Sequence, residues 1–202
     1  MPLSPALLGR SRPGVALALS VFLVAVPLCV PGATQAPPTR QQAQALDASG
    51  QFLQAAQAWQ ALLGADTGRP LDHDRALALV RLLISLRASG EDARADALLP
   101  RLRTIDKKAV QPGDVLLPNA FRVLASIEYA RQRQDLANAL YTQGYLLSVA
   151  GLGEDNDVSR DFIWGALAMQ FNSAPPEGEG LSEAQRREMI QGLARELAQP
   201  SP

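Results

Sequence analysis

The sequence predicts an all-α fold of about four helical hairpins, and three observations predict it. From Gln41 onward apolar residues recur at spacings of three and four, the period of one face of a helix. No alternating run of β-branched residues appears, as a half-buried strand would require. Breaks rich in glycine and proline separate the periodic segments at helix-like intervals. With 202 residues, 47% of them hydrophobic, the chain has enough apolar surface for one helical core or a short repeat array.

The N-terminal 36 residues carry two charges, Arg10 and Arg12, ahead of an apolar run over 15–30 and a small, turn-forming stretch. That order is the order of an export signal. The run is interrupted by Ser20 and Pro27 and falls short of the roughly 20 residues of a spanning helix. Three fates stay open: cleavage after Thr34-Gln35-Ala36, where Pro37 makes a poor following residue; retention as an anchor; or lipidation at Cys29, where Leu28 stands in place of a small residue. The domains expected are 1–36, a signal peptide or N-terminal membrane anchor, and 37–202, a helical domain. The expected location is exported and periplasmic, free or tethered to the inner membrane by 15–30. Cys29 is the one cysteine, so the exported part has no disulfide and no thiolate chemistry. Nineteen basic residues against twenty acidic ones give a formal charge of −1, no field for drawing in a nucleic acid backbone. The partner expected is a protein or peptide, with membrane contact only through an uncleaved N-terminal segment.

Each element follows from its local pattern. Residues 40–49, rich in Ala and Gln, form a first helix, and a very short turn leads to a second with Phe52, Ala55, Ala56, Trp59, Leu62 and Leu63 on one face, ending at Gly64. A third starts at Asp72 or Asp74, either able to cap it, and runs through Leu77, Val80, Leu83, Ile84 and Leu86 to Ser89-Gly90. Its partner carries Ala95, Leu98, Leu99 and Leu102 and is shortened by Pro100. A long connection over 104–118 leads to a third pair, 119–133 and 134–150. The fourth pair opens near Val158 with a helix apolar nearly all round, bearing Phe162, Trp164 and Phe171, which predicts burial. Ser182 and Gln185 form a capping box for the last helix, with Met189, Ile190, Leu193, Ala194 and Leu197 on its apolar face.

In the first hairpin Gly50-x-Phe52-x-x-Ala55-x-x-x-Trp59-x-x-Leu62, and forty residues later Gly90, Ala95, Leu99 and Leu102, the chain resembles the turn and second helix of tetratricopeptide repeats. The resemblance covers about 40–103 and is degenerate: the spacing exceeds the family's period of about 34, Asp92 stands where an aromatic is usual, and Pro100 comes early. It implies a superhelix whose paired first helices line a concave, ligand-binding face. Carried across residue by residue, that face comprises Arg40, Gln44 and Asp47, then Leu77, Val80, Ile84 and Arg87, then Phe121, Leu124, Glu128 and Arg131. The function expected is that of a non-catalytic adaptor or assembly factor. The alternatives are a structural subunit of an anchored envelope complex, which a large exposed face around Phe162, Trp164 and Phe171 would favour, and a hydrolase using Glu177 and Glu179.

Catalytic, cofactor and metal sites are not expected. His73 is the one histidine, and its neighbours Asp72 and Asp74 already have a capping role. The stretch 153–157 resembles the opening of a calcium loop, but Arg160 stands at the glycine turn and Ala166 at the bidentate glutamate. It reads as a solvated loop with Asp157 capping the next helix. No glycine loop has phosphate-binding spacing, and no serine sits in a nucleophile elbow.

Overall fold

The computed structural model describes residues 37–65, 70–171 and 181–199, with the side chains of 169–171 excepted. The apolar run over 15–30, the three fates of the N-terminal segment, and Glu177 with Glu179 lie outside the described residues. Eight α-helices and no strand occur among those described: α1 (Arg40–Ala48), α2 (Phe52–Leu63), α3 (His73–Ser89), α4 (Asp92–Leu98), α5 (Leu116–Ala130), α6 (Gln134–Leu152), α7 (Asp157–Phe171) and α8 (Glu183–Ala198). None is long and apolar enough to cross a membrane.

The ends follow local chemistry. Thr39 and Gln42 close a capping box on α1, and Asp72 rather than Asp74 caps α3 by accepting from the Arg75 N–H. Gly90, at φ +83°, ends α3 in the left-handed conformation that glycine adopts without strain. Pro100 truncates α4 as expected, and the chain continues as a 3₁₀ turn over Leu99–Thr104. Helix α5 starts three residues before the expected Asn119, because Pro118 falls in the first turn, where a missing N–H costs nothing. Asn156, not Asp157, caps α7: its Oδ1 accepts from the Val158 N–H at 3.0 Å.

Helix α3 forms the middle of the core. Every residue from Ala76 to Ala88 is buried, because α2, α4, α5 and α8 pack around it. Helices α5 and α6 form the next hairpin, and α7 packs along α6. That contact depends on two reciprocal close approaches. The Phe162 ring of α7 lies over Gly144 of α6, and the Tyr141 ring of α6 lies over Gly165 of α7; the two rings meet edge to face with centroids 6.0 Å apart.

Two expectations are corrected. Helices α7 and α8 do not pair as a fourth hairpin: α8 packs against α1, α3 and α5, the first helices of the preceding pairs. Nor is α7 buried all round. Phe162 is enclosed, but Ile163, Trp164 and Leu167 are 42%, 67% and 36% exposed, since α6 and one edge of α5 cover only one side.

A methyl group at residue 144 would stand 2.3 Å from the Phe162 ring, whereas one at Gly192 of α8 meets nothing within 4 Å. Gly144→Ala should therefore lower the unfolding free energy in urea by about 1–3 kcal/mol. Gly192→Ala should raise it by about 0.5–1 kcal/mol. Equal effects at the two sites would show that the α6–α7 approach is not tight.

Candidate protein-binding groove

A polar cluster buried where α1, α2 and α3 meet forms a floor under α8, and its Arg81 reaches that helix. Asp47 of α1 is 1% exposed; its Oδ2 accepts from Trp59 Nε1 at 2.8 Å and its Oδ1 from Ser85 Oγ at 2.7 Å. Burial raises the Asp47 pKa, an effect only partly offset by the bonds from Ser85 and Trp59 and by the nearby Arg81. Burial in turn lowers the Arg81 pKa, with Asp47 opposing. The Arg81 guanidinium stands 5.7 Å from the centre of the Trp59 ring, a cation–π distance. Along α3, Arg81, Ser85 and Ala88 are spaced four and three apart and so share one face.

At the C-terminal end of α3 lies a second charged group. Arg87 Nε donates to Glu128 Oε1 of α5 at 2.7 Å, Nη1 to Asp92 Oδ1 at 3.0 Å and Nη2 to Asp96 Oδ1 at 2.5 Å, the last two on α4. Both the Arg87 and Glu128 side chains are fully buried. Arg133 also donates to Asp96 at 2.6 Å, and Arg131 approaches Asp92 at 2.9 Å. Burial alone would lower the Arg87 pKa, but the bond to Asp96 and the charge of Glu128 outweigh it and raise it. Asp96 goes the other way: partial burial raises its pKa, and the bonds from Arg133 and Arg87 more than reverse that.

Helix α8 seats on this floor through a narrow apolar strip. Ile190 and Ala194 are buried, while Leu193 and Leu197 pack partly buried against the core. Two hydrogen bonds fix its direction. Gln191 Nε2 donates to the Ala88 carbonyl at 3.2 Å, and Arg81 Nη2 donates to the Leu197 carbonyl at 3.0 Å. As α8 advances from 191 to 197, its contacts retreat along α3 from 88 to 81, so the two helices run antiparallel. A cleft of about 380 Å³ remains at the C-terminal end of α8, lined by Gln44, Arg81, Asn119, Arg122 and Glu196 among others. In its wall Arg81 Nη1 and Arg122 Nε are buried without a hydrogen-bond acceptor among the described residues.

The structure divides the expected concave face into three sets. Leu77, Val80, Ile84, Phe121 and Leu124 are core side chains, at most 2% exposed. Because neighbouring helices enclose α3 and α5, they are not available to a ligand. Asp47, Arg87 and Glu128 are buried in the polar clusters. Arg40, Gln44 and Arg131 are the partly open ones; Arg40 pairs with Asp74, and Gln44 lines the cleft. Arg81 and Arg122 lie outside the expected set, although Arg81, Ser85 and Ala88 form a polar and small stripe along one face of α3 that the sequence already displays.

His73 takes a structural place. Its Nδ1 lies 3.2 Å from both the Ala109 carbonyl and Asp114 Oδ2, which ties the start of α3 to the connection before α5. Asp155 and Asp157 are fully exposed beside Arg160. Among the described residues no group of three or more His, Cys, Asp or Glu side chains could hold a metal ion.

Removing the centre of the ion cluster leaves Glu128 buried, with its remaining cations, Arg133 and Arg131, at 3.4 and 3.9 Å. Arg87→Met should therefore cost about 3–5 kcal/mol of unfolding free energy in urea; a loss under about 1 kcal/mol would mean that the cluster is not structural. Asp96 supplies a pH test. Its depressed pKa means that its stabilisation is present above the unfolded value of 3.8 and lost as pH falls through the folded one. On acidification from about pH 5 to pH 2, across the carboxylate range, Asp96→Asn should lose less stability than the parent chain. An unchanged profile would remove Asp96 from the cluster's energetics.

No family model, curated protein or solved structure matches the chain significantly; the packed helices are compatible with a helical-repeat fold.

Proposed function

We propose that this chain is a non-catalytic adaptor or assembly factor of the cell envelope, a tetratricopeptide-like superhelix whose first helices α1, α3 and α5 receive a helix from a protein partner. The observation that carries this reading is α8, an amphipathic helix seated against those three helices. Beneath it Arg81 of α3 donates to the Leu197 carbonyl of α8 and shares one helix face with Ser85, polar groups that tolerate water better than an apolar core face would. The N-terminal order of two arginines, an apolar run and small residues supports export, and the partner is accordingly sought in the envelope.

The test is a crosslinking capture from envelope fractions, with the full chain beside the double variant Arg40→Glu, Gln44→Glu. Both side chains are partly open and lie outside the ion cluster of Arg87 and Glu128, so the variant should fold and lose at least fivefold of the captured partner. Undiminished capture would move the interface elsewhere.

One observation favours a second reading, that of a structural subunit. Trp164, Ile163 and Leu167 leave an apolar strip of α7 open, and exposed aromatic groups of this kind mark interaction sites. Trp164→Asp should leave stability within about 0.5 kcal/mol. If the chain works as a subunit, the same variant should co-fractionate with its complex far less than the parent chain.

A further inference from the structure

The groove is occupied, and the manner of its occupation has consequences. Over the N-terminal half of α8, residues 183–189, the side chains are exposed except for a half-buried Arg186. Apolar contact is confined to Ile190, Leu193, Ala194 and Leu197, a spacing of 3, 1 and 3 that any amphipathic helix can reproduce. The two hydrogen bonds that orient α8 each end on a main-chain carbonyl, one on either helix. One of them, from Arg81, asks nothing of the guest's side chains. The contact is therefore specific for a helix of this apolar spacing more than for α8 itself.

The fit is also incomplete. At the C-terminal end of α8 the cleft of about 380 Å³ stays open between the Arg81 and Arg122 side chains and Glu196 of α8; Arg81 Nη1 and Arg122 Nε, buried in its wall, have no acceptor among the described residues, Glu196 included. An unmet buried donor weakens the packing that creates it. A guest bearing a carboxylate at that end would meet both arginines, and it would leave the polar floor and the core behind it undisturbed.

Resting on the adaptor reading above, we propose that α8 is a resident guest of the groove, displaced by a partner's amphipathic helix with the same apolar spacing and a carboxylate directed at Arg81 and Arg122. Tethered to the chain, α8 competes at an effective concentration of about millimolar. It thereby keeps the groove closed to weak ligands and yields to a helix that satisfies the two arginines. Selection is then a competition between two helices for one seat.

The experiment titrates a fluorescein-labelled peptide of residues 182–199 into the full chain and into the full-chain variant Ala194→Glu. Ala194 is fully buried against the groove, so a glutamate there should unseat α8. The variant is expected to stay monomeric, to melt cooperatively and to bind the peptide at least tenfold more tightly than the parent chain. A peptide carrying Ala198→Glu, at a position that lines the cleft, should bind at least threefold more tightly again. Loss of cooperative melting would make α8 part of the core and overturn the proposal. Unchanged peptide affinity, a swapped dimer of the variant, or no gain from the acidic peptide would overturn it as well. The titration needs no native partner, so it can succeed where envelope capture fails, and the reverse result would retain the adaptor without the displaceable helix.

Discussion

Helix α3 must satisfy charged and polar groups while helices close on it from every side. Thirteen consecutive residues, Ala76 to Ala88, are buried, and three of them are Arg81, Ser85 and Arg87. Buried charge is tolerated only when paired and hydrogen-bonded, so the positions of the surrounding helices are constrained by chemistry as well as by shape. Arg87 draws Asp92 and Asp96 of α4 and Glu128 of α5 onto one guanidinium. Arg81 and Ser85 draw in Asp47 of α1 and Trp59 of α2. The order of the first five helices around α3 follows from these two clusters together with the apolar contacts between them.

Two kinds of helix contact result. Between α6 and α7, aromatic rings seat over Gly144 and Gly165, a contact that a single methyl group would disrupt and whose one polar tip, the Tyr141 hydroxyl, is paired with Ser126 of α5. Between α8 and the first helices the contact is a short apolar strip over a polar floor, with a cleft at one end. The first kind belongs to permanent packing. The second resembles a recognition surface, in which a helix lies in a groove and is read by a few anchors.

The all-α character and most of the helices were legible in the sequence, because helix periodicity and punctuation are local. Asp72, Gly90, Pro100 and the Ser182–Gln185 box act where they stand. What was not legible depends on distant partners. The apolar residues of α7 suggested burial on every side, yet apolar periodicity cannot say how many neighbours arrive, and Trp164 stayed open. The place of α8 on α1, α3 and α5, rather than on α7, depends on contacts across about a hundred residues of chain, as between Gln191 and Ala88. The expected groove included five core side chains, since the repeat offsets count positions and do not register enclosure. Arg81 is hidden for a different reason: the apolar residues of α3 dominate its pattern, and the polar stripe at 81, 85 and 88 marks the face that meets α8.

Native-state hydrogen exchange in the full chain, resolved by residue, tests most directly whether α8 is a guest or a part of the core. A guest opens on its own, so amides at 190–197 should exchange through a sub-global opening, at least a hundredfold faster than those of 79–86 in α3. Equal protection in the two helices, with the same dependence on denaturant, would show that α8 unfolds only with the core and would contradict its displacement.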